Sequence, residues 1–106
     1  MVEIMAALAN PIRLRIVAEL SRGRDYVSHL ARVIGVSRPL LHIHLQRLEQ
    51  VGLIVGNLEL SEDGKAMKYF EVADFDFHMS ATAIADAAAT LTKSGPELGP
   101  TRKEPS

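Results

Sequence analysis

Apolar residues recur at intervals of three and four through the first fifty positions of the chain and at alternate positions after Gly52. The first spacing marks one face of a helix and the second one face of a strand. Ile12, Ile16 and Leu20 follow Asn10-Pro11, a capping asparagine and a first-turn proline, which predicts a helix ending near "SRGR", where Gly23 is suited to the left-handed conformation. The preceding "VEIMAALA" has room for a short helix only. Val27, Leu30, Ala31 and Ile34 predict an inward face on a helix from Tyr26 to Ile34, closed by Gly35. Leu41, Leu45 and Leu48, with Ser37 as cap and Pro39 in the first turn, predict a helix over 37–51. Only "GVS" separates these two helices, too tight for an antiparallel pair and suited to a helix-turn-helix. The small Ala31, the turn glycine Gly35, and apolar Leu30, Ile34, Val36 and Leu41 fit the contacts that such a crossing needs.

The alternating stretch "NLELSEDGKAMKYFEV" contains Asp63-Gly64, which predicts a two-residue hairpin turn. That turn would set Glu62 opposite Lys65, Leu60 opposite Met67, Glu59 opposite Lys68 and Leu58 opposite Tyr69. A helix-turn-helix followed at once by a hairpin is a winged helix. "DFDFHM" alternates again and predicts a further extended segment, after which Ser80 caps a last helix with Ile84, Ala88 and Leu91 on one face. A small core with an apolar terminal helix left over predicts a symmetric homodimer through that face. The fold class expected is therefore mainly α with a small β wing, a winged helix-turn-helix with a C-terminal dimerisation helix. Residues 1–92 form the domain, and 93–106, "KSGPELGPTRKEPS" with almost nothing apolar, form a disordered tail.

Composition narrows the function. At 106 residues the chain is one domain at most, and no apolar run is long enough to span a bilayer. It has no cysteine, which removes thiolate metal sites and cysteine nucleophiles and fits a cytoplasmic protein. No glycine-rich phosphate loop, nucleophile elbow or paired carboxylates stand out, so neither an enzyme nor a cofactor is expected. The formal net charge of −1 conceals an asymmetry. From Pro11 to Arg47 there are seven arginines against two acidic residues, whereas from Leu48 onward five basic residues face ten acidic ones. A basic first half suits a polyanion.

His42 and His44 flank Ile43. On a helix, residues two apart point about 200° from each other, so one ion cannot take both imidazoles, and no metal site is expected. His44 falls about 60° from the leucine stripe and His42 about 100° from it. His44 is therefore expected to be buried or half-buried and to satisfy a backbone group, and His42 to lie on the free flank. That flank carries Pro39, His42, Ile43, Gln46, Arg47 and Gln50, with Arg38 at the helix start. Glutamine suits adenine edges, arginine suits guanine or phosphate, and Ile43 suits a thymine methyl. Ser37 with the helix N-terminus, and Lys65 and Lys68 on the wing, suit the phosphate backbone. Double-stranded DNA is thus the expected partner. The competing expectation is a winged helix used for protein contact through its acidic wing and terminal helix.

"ALANPIRLRIVAEL", "VSHLARVIGVSRPLLHIHLQRLEQVGLI" and the following hairpin resemble, in order and spacing, the ArsR-type winged-helix transcriptional regulators over about Met5 to Val72. The asparagine-proline entry with Arg13 and Leu14, the pair His44-Leu45 followed by Leu48, and "GLI" at Gly52 to Ile54 carry the likeness. The resemblance implies a homodimeric repressor that sets the second motif helix in the major groove of a palindromic operator and releases it when an inducer binds. Here "RDYVSHLA" lacks the cysteine-rich metal box of sensing members. Asp76 and His78 imitate half of the family's terminal-helix metal site, but Ala89 stands where its second histidine would be. The wing tip "SEDG" is acidic where the family is usually basic, which weakens its contact with phosphate. An unknown small-molecule inducer would have room between the terminal helices or under the wing, near Phe70, Phe75, Phe77 and Met79, although core packing explains those residues more simply.

Overall fold

Asn10 opens the second helix of the chain. In the computed structural model, which describes residues 1–94, helix α1 spans Val2–Leu8 and helix α2 Pro11–Leu20. Asn10 sits between them in an extended conformation, its side-chain oxygen accepting from the backbone N–H groups of Ile12 at 2.9 Å and Arg13 at 3.1 Å. Two donors left orphaned at the start of α2 are thereby satisfied by one side chain. α2 closes at Ser21. Gly23 follows with a positive φ of 150°, which favours glycine, and its N–H bonds back to the Leu20 carbonyl at 3.0 Å.

A two-residue strand, β1 (Asp25–Tyr26), leads directly into α3 (Val27–Ile34). Gly35 ends α3 in the left-handed conformation, φ 86° and ψ 35°, and its N–H reaches the Ala31 carbonyl at 2.9 Å. Only glycine adopts that conformation without strain, so the turn of the motif is written into this position. Ser37 then caps α4 (Arg38–Gln50), its hydroxyl accepting from Leu40 N–H at 3.3 Å. Leu30, Ala31 and Ile34 of α3 and Leu41, Leu45 and Leu48 of α4 are buried, joined by Ile16 and Leu20 of α2. This is the helix-turn-helix that the apolar spacing predicts.

After α4, the Leu53 N–H bonds back to the Leu48 carbonyl at 3.0 Å, and the chain enters β2 (Ile54–Leu60) and β3 (Ala66–Val72). The strands form one antiparallel sheet in the order β1-β3-β2. Leu53, Ile54 and Phe70 carry the sheet into the helical core. Gly56 lies opposite Phe70, and a Cβ there would meet the Phe70 ring at 2.7 Å. The buried ring occupies the place of a side chain, so Gly56→Ala is expected to lower stability by about 1 kcal/mol, read as a shifted midpoint in chemical denaturation.

The hairpin register differs from expectation by one residue. Leu58 pairs with Lys68, Glu59 with Met67 and Leu60 with Ala66, in place of the Tyr69, Lys68 and Met67 partners expected. The cause is the turn. Gly64 N–H bonds to the Ser61 carbonyl at 2.9 Å, Ser61 N–H bonds to the Lys65 carbonyl at 2.8 Å, and Gly64 takes φ 86°. That is a three-residue loop with a glycine bulge, whereas a two-residue loop would centre on Asp63-Gly64. The Ser61 hydroxyl, which donates to Asp63 and accepts from Lys65 N–H, completes the loop. One residue of slip exchanges the faces of the hairpin. Leu58 and Leu60 are left 72% exposed, and Glu59 turns toward β1.

Val2–Phe75 makes one unit, and the segment from Asp76 onward belongs to a second. The alternating "DFDFHM" enters no ladder with the described strands. In the second unit Ser80 caps α5 (Ala81–Ser94), its hydroxyl accepting from Ala83 N–H at 3.1 Å. The helical backbone thus covers 93 and 94, two residues assigned above to the tail; the remainder of the expected tail lies outside the described residues.

Candidate nucleic-acid interface

α4 has two unlike flanks. Leu41, His44, Leu45 and Leu48 are buried against the core, while Arg38, Pro39, His42, Ile43, Gln46, Arg47 and Gln50 are all exposed, Ile43 by 61%. Ser37 is exposed at the helix entrance, and Lys65 and Lys68 are exposed on the wing. Arg38, His42 and Lys68 border one groove, so the start of α4 and the wing present positive charge to the same space. Lys65 stands apart from them at the wing tip, beside Ser61. Glu49, which sequence reasoning passed over, is exposed three residues beyond Gln46 and shares its flank. Its carboxylate is an acceptor on an otherwise donor-rich surface, the chemistry that a cytosine amino group requires.

His44 is 8% exposed, and its partner is not the backbone group expected. Arg13 Nη1 donates to His44 Nδ1 at 3.1 Å, and Arg13 Nε donates to the Ala7 carbonyl at 2.6 Å. A guanidinium has only donors, so Nδ1 is the acceptor and the imidazole proton resides on Nε2. Burial and, secondarily, the Arg13 charge push the His44 pKa below its ordinary value. The neutral imidazole therefore joins α4 to α2 and, through Arg13, to α1. His42, two residues earlier, is in solvent.

The wing is braced from its base. Tyr26 Oη donates to Glu59 at 2.6 Å, and Arg24 Nη2 donates to the same carboxylate at 3.2 Å. The Arg24 guanidinium lies 4.2 Å from the Tyr69 ring centre, and the Tyr26 and Tyr69 rings meet edge to face. The Tyr26 hydroxyl, followed by Arg24, holds the Glu59 carboxyl below the usual carboxylate range, and the same bond to Glu59 raises the Tyr26 pKa. At the wing tip, the Ser61 hydroxyl and then the Lys65 backbone N–H lower the Asp63 pKa. The tip therefore carries negative charge at neutral pH. Neither the Arg13–His44 bond nor the Arg24, Tyr26 and Glu59 brace had a local signal in the sequence, since each joins residues more than thirty positions apart.

His29 Nδ1 lies 2.6 Å from Asp25 Oδ2. Among the described residues no three His, Asp or Glu side chains come together in the way a metal ion requires, and none of the helices is long and apolar enough to cross a membrane. Ile84, Ala88 and Leu91 share one face of α5, Ile84 being 46% exposed and Leu91 half-buried.

Known proteins share this arrangement. A family profile described as a helix-turn-helix domain matches residues 8–57. An uncharacterized HTH-type transcriptional regulator of Methanocaldococcus jannaschii is 32% identical over 78 residues, 74% of this chain and 81% of that protein. The HTH-type transcriptional repressor SmtB of Mycobacterium tuberculosis is also 32% identical, over 87 residues that cover 82% of this chain and 58% of the repressor. Among solved structures, the homodimeric winged helix-turn-helix DNA-binding domain of a possible ArsR-family regulator from Mycobacterium bovis superposes with a TM-score of 0.62 at 22% identity, covering 99% of this chain and 86% of that one. The ArsR family transcriptional regulator RHA00566 superposes with a TM-score of 0.56 at 25% identity, covering 87% and 88%. With its helix-turn-helix, its wing and its exposed polar helix flank, the chain belongs to the ArsR-type winged-helix transcriptional regulators, which bind DNA.

Proposed function

We propose that the chain is a homodimeric repressor that sets α4 in the major groove of a palindromic operator. The observation that carries this reading is the division of α4, whose leucines are buried while every side chain suited to base edges is exposed. Gln46 and Gln50 address adenine, Arg47 addresses guanine, and His42 and Ile43 complete the reading flank. Ser37, Arg38, Lys65 and Lys68 position the helix on the backbone, Lys68 bordering the same groove as the start of α4, and Pro39 lies on the reading flank. The direct test is affinity for random duplex DNA at low and moderate salt. A DNA reader releases counterions and weakens steeply as salt rises; a winged helix built for protein contact shows almost no binding at either salt.

Dimerisation through Ile84, Ala88 and Leu91 is supported by the exposed face of α5 and by the homodimeric state of the Mycobacterium bovis domain. Ile84→Glu is expected to convert a sedimenting dimer to monomer and to weaken operator binding. A wild-type chain that sediments as a monomer at roughly 10⁻⁵ M would remove dimerisation from this account. The reading places the protein in the cytoplasm, with DNA and a second copy of itself as partners.

A further inference from the structure

On the reading that α4 is the DNA-reading helix, we propose that the groove between the starts of α3 and α4 and strand β3 is a regulatory seat for a small organic anion with an apolar body, whose binding displaces DNA. The groove is open to solvent and offers about 350 Å³, at the small end of the range of about 300–1,000 Å³ typical of ligand sites. Val27, Met67, Ala66 and Tyr26 supply its apolar lining. Arg38 and Lys68 supply its cations, Ser28 and His42 complete the lining, and no Asp or Glu is among these residues. Two permanent cations without a carboxylate leave a charge deficit that an anion fills and a neutral ligand does not.

The walls are in place before any ligand arrives. Tyr26 is held by its 2.6 Å bond to Glu59 and its edge contact with Tyr69, and the Lys68 ammonium rests 5.2 Å from the Phe70 ring. A preformed site loses little freedom on binding. Because Arg38 and Lys68 are also proposed phosphate contacts, one anion between them removes both from the DNA surface. Negative coupling then follows from competition for the same two cations.

The experiment uses the full chain with 1-naphthoate and 1-naphthyl phosphate as probes and 1-naphthamide as the neutral control. Equilibrium dialysis measures probe binding without DNA, and fluorescence anisotropy measures the Kd for a labelled duplex with and without probe. The expected result is stoichiometric binding of at least one of the two anions, at least a tenfold rise in the DNA Kd at saturation, and neither effect from the amide. The carboxylate and phosphate arms show which headgroup the seat takes. Ser28 is exposed and not among the proposed DNA contacts. Ser28→Trp, which fills the groove, should bind the anion at least tenfold more weakly yet retain the duplex. Ser28→Glu, which places a carboxylate beside the cations, should likewise lose the anion in dialysis. The proposal is overturned if neither anion binds, if the amide does as well, or if both variants keep the anion. It is also overturned if Ser28→Trp loses DNA, since the groove then seats the DNA backbone itself. Absence of DNA binding by the unliganded wild-type chain would instead sink the reading of α4, while dialysis still reports on the groove.

Discussion

His44→Ala is expected to lower the melting temperature by at least about 4 °C, whereas His42→Ala leaves it unchanged and weakens sequence-specific DNA binding. The two histidines are two residues apart on one helix and face different surroundings. Removing the His44 ring takes away the acceptor of the half-buried Arg13 guanidinium and leaves that charged donor one partner short. That loss costs about 1–3 kcal/mol, and about 4–8 °C accompanies each kcal/mol in a domain of this size. The pH dependence carries the same signature. The folded pKa of His44 lies below its ordinary value of 6.5, so as pH falls through about 6.5 the unfolded chain takes up a proton that the folded chain refuses. Stability is therefore full above about 6.5 and declines below it, toward the folded pKa. His44→Ala should flatten that part of the stability curve, measured by denaturant midpoints between pH 7 and 5. His42→Ala should instead cost about 1–3 kcal/mol in binding to the preferred sequence. The reverse pairing of failures would mean that the opposite face of α4 lies on the DNA.

Arg47→Ala and Arg38→Ala are expected to weaken DNA binding in two different ways. Arg47 lies within α4 among Gln46 and Gln50, and a guanidinium there that grips a guanine contributes about 1–3 kcal/mol of discrimination. Its loss should relax preference at one operator position per half-site. Arg38 stands at the first turn, beside the capped N-terminus and across the groove from Lys68. A phosphate contact from that position carries no sequence information. Its loss should weaken all duplexes about equally and reduce the slope of log affinity against log salt by about one per subunit. Titrations of one preferred and one scrambled duplex, each at three salt concentrations, separate the two outcomes. A uniform loss from Arg47→Ala would reassign that residue to the backbone.

The motif was legible because its signals are local. The leucine spacing of α4, the Ser37 cap and the closing Gly35 each act within a turn or two of helix, and together they leave little freedom in how the two helices meet. The wing was legible as a hairpin but not in register. Asp63-Gly64 is compatible with a two-residue turn or with a glycine bulge after a three-residue loop, and the choice rests on Ser61, whose hydroxyl bonds both Asp63 and Lys65. β1 escaped notice because two residues have no period. The partner of His44 is hidden for a related reason: helical phase shows that the ring turns inward, but not that Arg13, thirty-one positions earlier, is folded against it. Charged pairs between distant elements leave no spacing in the chain to read, and the Arg24–Glu59 brace is of the same kind.

The central claim, that the exposed flank of α4 reads DNA sequence, is tested most directly by selecting bound duplexes from a random pool with the wild-type chain and with the double variant Gln46→Ala, Gln50→Ala. The wild-type chain should enrich a two-fold symmetric sequence with half-sites about 10–10.5 base pairs apart, or a multiple of that, centre to centre. The double variant should lose preference at adenine positions within each half-site while retaining the spacing. Failure of the wild-type chain to enrich any sequence, or enrichment of the same bases by the double variant, would contradict the claim.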